Sequence, residues 1–493
     1  MTIGYDGNLV EVECDLNKGL PRFNIVGLAD KAVSESRERV RGAIANSHLS
    51  FPDGHVTINL APANLPKDGA HFDLPIAISI LEVSGQLRKK ATEGMLLAGE
   101  LSLDGELRPI RGALAIAETA RTNGLTTVIV PKQNAEQAAL VKDITVIGAS
   151  TLMEVLLHLL GEKPITPTAT PDLEKFARAK HNNGPTIGEV KGQEAAKRAL
   201  VIAAAGHHNV LFTGPPGAGK TMLARALVGL LPTPTYDELF EVTKIHSISG
   251  DSDEIVHRRP FRSPHHTASF VAIIGGGSKP MPGEVSLAHH GVLFLDEIPE
   301  YPRQSLEALR QPLEDREVHV SRAASRVTYP ANFMLVATKN PCPCGFYGDD
   351  TRQCECPQTA ILSYQKRLSG PLLDRIDMVV EVARVPQDKL LEDSDGDDTE
   401  EAQLREQITN ARAVQTKRNR GKTNSSLSNK ALLAKAQLTP AAKTLLTTAA
   451  DRLKLSARSY FKIIKVARTI ADLNGSDEIT EAEISEALQY RQQ

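Results

Sequence analysis

Residues 214–221 read G-P-P-G-A-G-K-T and satisfy G-x-x-x-x-G-K-[ST] at every fixed position. Val210, Leu211 and Phe212 precede this loop and read as a buried strand. Residues 222–227, M-L-A-R-A-L, follow it and read as a helix. In that strand–loop–helix context, loop N–H groups and the helix N-terminus converge on an anionic phosphate. Gly214, Pro215, Pro216, Gly217, Ala218 and Gly219 would cradle the phosphates. Lys220 would neutralise the β/γ-phosphates, and the Thr221 hydroxyl would coordinate Mg²⁺. The alternative is a glycine-rich turn that binds nothing.

Residues 291–297, G-V-L-F-L-D-E, form an apolar run that ends in two acids. A buried parallel strand reads this way, with its carboxylates emerging beside the phosphate loop. Asp296 would hold Mg²⁺, directly or through water, and Glu297 would polarise the water that attacks the γ-phosphate. An acidic pair after an apolar strand is common by chance. Combined with the loop at 214–221 it specifies a nucleotide triphosphatase.

At 493 residues the chain is expected to hold two to four domains, and 41% hydrophobic content supports sizeable cores. A formal net charge of −3 argues against a globally basic nucleic-acid binder, but leaves room for a local basic path. Trp is absent and aromatics are 4%, which disfavours extensive base stacking. There is no run of 18 apolar residues and no signal-peptide pattern, so no membrane partner and a cytoplasmic location are expected.

Residues 1–160 alternate strand-like runs (9–14, 22–26, 55–60, 127–130, 144–147) with helical patterns (31–47, 73–83, 112–123, 134–141), a mixed α/β domain. Residues 161–185 carry Pro164, Pro167, Pro171 and Pro185 and read as a linker with one short helix. Residues 186–385 contain the nucleotide motifs. Residues 386–425 read as an acidic-then-basic linker, with E-D-S-D-G-D-D-T-E-E at 392–401 expected to be solvated and mobile, although from Glu401 onward the sequence is helix-like. Residues 426–493 read as a helical lid, and there is no repeat of fixed period.

Further candidates follow the two motifs in order. Residues 327–329 and 332–337 read as strands, and the second leads to Asn340, which could position the attacking water; an ordinary turn Asn before Pro341 is the alternative. Arg375, in L-L-D-R-I-D, could reach a neighbouring subunit's γ-phosphate as an arginine finger. Arg458, opening a C-terminal helix, could contact the phosphates from the lid. Surface ion pairing is the alternative for both arginines.

The order 214–221, Asp296–Glu297, Asn340, Arg375, Arg458 resembles an AAA+ ATPase. More narrowly, the chain resembles the magnesium-chelatase-like ComM/YifB family. The blocks that carry the match are R-P-F-R-S-P-H-H-T (259–267), G-G-G-S-K-P-M-P-G-E-V-S-L-A-H (275–289), L-R-Q-P-L-E-D (309–315), N-P-C-P-C-G (340–345), S-G-P-L-L-D-R-I-D (369–377) and G-L-P-R-F-N-I-V-G-L (19–28). The resemblance implies a central αβα P-loop sandwich, ATP and Mg²⁺ as cofactors, and a homo-hexameric ring. In competence-related members it implies branch migration of DNA.

The stretch 248–291, rich in His and Gly, is expected to be an insertion in the ring's central pore. His265, His266, His289 and His290 suggest a metal, but adjacent His pairs rarely ligate one ion and no carboxylate has suitable spacing. Structural or pore-facing roles are expected instead. The N-terminal domain resembles the Lon protease (S5-type) α+β domain through P-K-D-G-A-H-F-D-L-P-I-A (66–77) and L-A-G-E-L-S-L-D-G-E-L-R-P-I-R-G (97–112). Lon-type catalysis needs a Ser and a Lys. His71 falls at the serine position and Ile116 near the lysine, so a binding or assembly module without peptidase activity is expected.

Four of the five cysteines form C-x-C-x₉-C-x-C: Cys342, Cys344, Cys354 and Cys356. Four thiolates on a short hairpin suffice for tetrahedral Zn²⁺, with free thiols or a redox pair as alternatives. A disulfide is not expected in a reducing cytoplasm. The run K-R-N-R-G-K at 417–422 reads as a solvated linker or as a phosphate-backbone contact. Together the readings indicate a cytoplasmic hexameric AAA+ ATPase that moves on or remodels DNA. The alternatives are a protein-remodelling or metal-chelatase-type motor and an ATP-dependent scaffold.

Overall fold

The computed structural model describes residues 2–172, 184–252, 254–277, 280–322, 325–349, 352–386 and 398–491. The N-terminal unit contains β1 (Glu11–Asn17), β2 (Arg22–Val26), α1 (Lys31–Asn46), β3 (His55–Ala61), α2 (Asp73–Val83), β4 (Met95–Leu97), α3 (Ala113–Thr122), β5 (Thr127–Pro131) and β6 (Thr145–Ala149). One sheet has the order β1-β3-β2, antiparallel then parallel; the other has the all-parallel order β6-β5-β4. Helices α1 and α2 bury Val40, Ile44, Ile76 and Ile80 against the first sheet.

The nucleotide-motif region contains α4 (Glu194–Gly206), β7 (Val210–Thr213), α5 (Lys220–Leu230), α6 (Tyr236–Ser249), β8 (Phe261–Arg262), β9 (Val292–Leu295), the hairpin β10 (Glu317–Arg322) and β11 (Ser325–Pro330), then β12 (Met334–Lys339) and β13 (Met378–Glu381). Its central sheet is all parallel in the order β8-β9-β12-β7-β13. Successive strand residues point to opposite faces. Val210, Phe212, Phe294, Val336 and Val380 therefore join one core layer, and Leu211, Leu293, Leu295, Leu335 and Ala337 join the other. Burial on both faces explains why these strands are apolar without interruption, and it makes the region a three-layer sandwich.

Two boundaries differ from the sequence reading. Residues 248–291 are not one insertion: Phe261 and Arg262 pair in parallel with Val292 and Leu293, so this segment supplies the edge strand of the central sheet. The stretch 386–425 is not a continuous linker either. It holds the 22-residue helix α7 (Asp398–Asn419). The reason is a stripe of Leu404, Ile408 and Ala411, whose helical spacing hides among charges and which packs into the larger core. Glu401 is buried at its start, pairing with Arg405. Arg418 pairs through Nη1 and Nη2 with both oxygens of buried Asp472, at 2.6 and 2.7 Å, so it is committed to packing rather than to phosphate contact. The acidic residues 392–397, and the short helix expected within 161–185, fall outside the described residues.

The C-terminal lid comprises α8 (Pro440–Leu453), α9 (Ala457–Leu473) and α10 (Glu481–Gln489). The N-terminal unit seats on α6: the Gly112 N–H donates to the Ser247 carbonyl at 3.1 Å, and Lys244 Nζ meets Glu118 at 2.6 Å. No helix among the described residues is long and apolar enough to cross a membrane.

Candidate nucleotide-binding site

The loop at 214–221 joins the carboxyl end of β7 to the first turn of α5. Gly214 is required by close approach, because a Cβ there would lie 2.1 Å from the Val382 carbonyl oxygen. Gly219 caps α5 at φ 87°, a left-handed backbone that L side chains avoid. Lys220 Nζ folds back to donate to the Gly214 and Pro215 carbonyls at 2.6 and 2.9 Å and to Asn340 Oδ1 at 3.1 Å. Burial pushes its ammonium below the usual lysine range, while Asp296 and Glu297 pull the other way. An ammonium in that setting is suited to take an anionic ligand.

Strands β9 and β12 deliver the acidic half. Thr221 Oγ1 stands 3.4 Å from Asp296 Oδ2, and Thr338 Oγ1 donates to Asp296 Oδ1 at 2.6 Å. Thr338 also accepts from the Glu297 N–H at 2.8 Å. It therefore sets the turn in which Glu297 takes φ 50°, an uncommon conformation for a residue with a side chain. Asn340 Nδ2 donates to Glu297 Oε1 at 3.1 Å. The amide orientation follows from its partners, since an ammonium only donates and a carboxylate only accepts. Lys220, Thr221, Asp296, Glu297 and Asn340 thus meet at the carboxyl ends of three adjacent parallel strands. A hydroxyl beside a carboxylate is an oxygen donor set that fits Mg²⁺. Sequence reasoning missed Thr338, which is fully buried near the end of β12; its signal was a hydroxyl following the apolar run Met334–Ala337.

Arg375 and Arg458 are brought together, but elsewhere. The Arg375 carbonyl accepts from Asn209 Nδ2 at 3.0 Å, and Asn209 immediately precedes β7. The phosphate loop follows the other end of that four-residue strand, which spans about 13 Å. Both guanidinium groups contact the two oxygens of Glu314. Arg458 therefore does not approach the phosphate loop of its own chain.

The cysteines converge. Cys342 Sγ lies 3.3 Å from Cys344 Sγ and 3.7 Å from Cys354 Sγ, with Cys344 to Cys354 at 3.6 Å; Cys356 completes the group within 4.8 Å. A tetrahedral site with Zn–S of about 2.3 Å has S···S edges of about 3.8 Å, so this donor set fits zinc. A backbone hydrogen bond from Phe346 draws the Cys344 thiol down to about 6.

At His289 and His290 the fold supplies the carboxylate that spacing did not reveal. Glu241 Oε2 lies 2.9 Å from His289 Nε2 and 2.8 Å from His290 Nε2. His289 Nδ1 accepts the Asn332 N–H at 2.9 Å, so its Nε2 carries the proton and donates to Glu241. A protonated Nε2 cannot ligate, and the trio is a hydrogen-bonded structural cluster. In the N-terminal unit, His71 and Ile116 line a single cavity of about 370 Å³. Burial pushes His71 down to about 3, and Ile116 offers no base.

Family models now bear on this geometry. The description "Magnesium chelatase, subunit ChlI" matches residues 186–390, "Subunit ChlI of Mg-chelatase" matches 12–134, and "Magnesium chelatase, subunit ChlI C-terminal" matches 398–491. The competence protein ComM of Haemophilus influenzae is 44% identical over 99% of the chain and 96% of its own length. The YifB protein of Escherichia coli is 42% identical over 99% and 95%. The chain belongs to the ComM/YifB family of magnesium-chelatase-like AAA+ proteins. Lon protease 1 of Bacillus subtilis is 29% identical over 33% of the chain, in keeping with the Lon-like N-terminal unit.

Proposed function

We propose that this chain is an ATP-hydrolysing motor that forms a hexameric ring and works on branched or single-stranded DNA in recombination or natural transformation. The observation that carries the reading is the alignment of Thr221 with Asp296 and of Asn340 with Glu297 at the carboxyl ends of the central strands. Thr221 and Asp296 would hold Mg²⁺, which supplies charge neutralisation at the β- and γ-phosphates when bound. Lys220 would exchange its carbonyl partners for phosphate oxygens. Glu297, oriented by Asn340 and the Thr338-anchored turn, would accept the proton of the attacking water. Arg375 and Arg458 sit too far from their own loop, so they would complete the site of the next subunit. That incompleteness supports a ring.

The DNA substrate rests on similarity to competence protein ComM. Exposed His319 and Arg326 on the β10–β11 hairpin suit a backbone contact without sequence preference. Hydrolysis is expected to rise on addition of a four-way DNA junction. Stimulation by an unfolded protein and not by DNA would instead support the protein-remodelling alternative. The chelatase descriptions of the matching models favour a second reading, a chelatase-type motor, for which hydrolysis would be indifferent to DNA.

The Cys342, Cys344, Cys354 and Cys356 cluster would hold one structural zinc per subunit. Elemental analysis of protein purified without chelator is expected to give about one zinc per chain, consistent with a closed four-thiolate site. Metal-free protein with four native thiols open to titration would overturn this assignment.

A further inference from the structure

Glu314 is a carboxylate that no motif role explains. Its Oε2 receives Arg375 Nη2, and its Oε1 receives Arg458 Nη2. Two guanidinium groups from distant segments thus close on one small anion, the arrangement that planar Arg donors make with carboxylate and phosphate alike. The rest of the Arg375 guanidinium is anchored without Glu314. Its Nε donates to the Arg310 carbonyl at 2.9 Å and its Nη1 to the Pro371 carbonyl at 2.6 Å. Glu314 itself is 48% exposed, so it can leave while Arg375 stays. The two arginines border a cavity of about 670 Å³, room enough for the end of a polyphosphate. Arg316, Lys462 and Lys465 also line it and donate to Asn332 Oδ1, the Ile376 carbonyl and the Ser425 carbonyl, and the carboxylates of Asp374 and Asp377 line it beside them, Asp377 acting on all three cations and Asp374 on Lys462. Glu314 is the carboxylate that touches both arginines.

We propose that Glu314 is an internal stand-in for the terminal phosphate of the neighbouring subunit's nucleotide, masking an anion site built by Arg375 and Arg458 until the ring closes. The occupant of that site rests on the trans reading above; the masked site itself does not. A phosphate carries more charge than a carboxylate and presents three oxygens, so it outcompetes Glu314 when a loaded neighbour delivers it. Free subunits keep the pair partly neutralised, and ring closure is thereby tied to nucleotide in the adjoining loop.

The test uses full-length protein in a Lys220→Ala background, where the chain's own loop holds phosphate poorly. Calorimetric titration with inorganic pyrophosphate is expected to show Glu314→Gln, and likewise Glu314→Ala, binding about three- to tenfold tighter than the background. That is the scale of releasing two partly exposed ion pairs. Adding Arg375→Ala is expected to remove the gain. No gain in folded protein, judged by circular dichroism, overturns the proposal. With Lys220 intact, Glu314→Gln is expected to lower the protein concentration needed for ATP-dependent assembly in sedimentation by a similar factor. A pyrophosphate gain with unchanged assembly keeps the masked anion site but overturns the neighbouring nucleotide as its occupant.

Discussion

Glu297→Gln is expected to bind ATP with near-native affinity and to hydrolyse it roughly 10²–10⁴-fold more slowly, the usual cost of removing a positioned base. The geometry makes this substitution clean. Asn340 Nδ2 donates to Glu297 Oε1, and glutamine keeps an acceptor oxygen there. The backbone of the turn is tied by the 2.8 Å bond from the Glu297 N–H to Thr338 Oγ1, which a side-chain change does not touch. Lys220, Thr221 and Asp296 retain their places, so nucleotide binding should persist. With ATP held and not cleaved, the oligomer should accumulate. Phosphate release and equilibrium nucleotide binding, read beside sedimentation, check the three statements together. Near-normal hydrolysis would remove Glu297 from the role assigned to it. Loss of nucleotide binding would instead make it a structural residue of the pocket.

Much of this site was legible because its chemistry is local. The loop at 214–221 and the acids at 296–297 are contiguous strings whose flanking apolar runs mark buried strands, and the structure places those two strands, β7 and β9, on either side of β12. Elements with strong patterns were read almost to the residue: β2 at Arg22–Val26 and α2 at Asp73–Val83 coincide with the sequence bounds. The misses share a cause, which is that the stabilising partner lies far along the chain. Helix α7 begins inside the acidic run 392–401, whose composition looks solvated, and the helix-like sequence from Glu401 onward is stabilised by burying Ile408 and Ala411 in a core assembled from the lid and α4. The two-residue β8 has no pattern of its own and exists because β9 offers an open edge. Glu241 joins His289 and His290 across 48 and 49 residues, a contact that spacing rules cannot express. The same holds for Glu314, which meets Arg458 across 144 residues.

Arg375→Ala is expected to leave nucleotide affinity almost intact and to remove most hydrolysis, on the order of 10³–10⁵ in turnover for an arginine supplied across a subunit boundary. Such a group stabilises charge that develops only in the transition state, so ground-state binding should not miss it. The competing reading makes Arg375 a structural ion pair with Glu314, worth at most about 1 kcal/mol of stability for a partly exposed pair. That reading predicts a small fall in melting temperature and little change in rate. Its position at the amino end of β7, opposite the phosphate loop, excludes a direct role in its own chain's site. Mixing separates the possibilities. Arg375→Ala subunits lack the donated arginine but keep a competent loop; Lys220→Ala subunits lack the loop but keep the arginine. Each is expected to be inactive alone. In a mixed ring, a Lys220→Ala subunit can present its Arg375 to the intact loop of an Arg375→Ala neighbour, so some interfaces regain both groups and partial ATPase activity returns. If mixed rings form, as fluorescence exchange between labelled subunits would show, and no activity returns, Arg375 does not act across the interface.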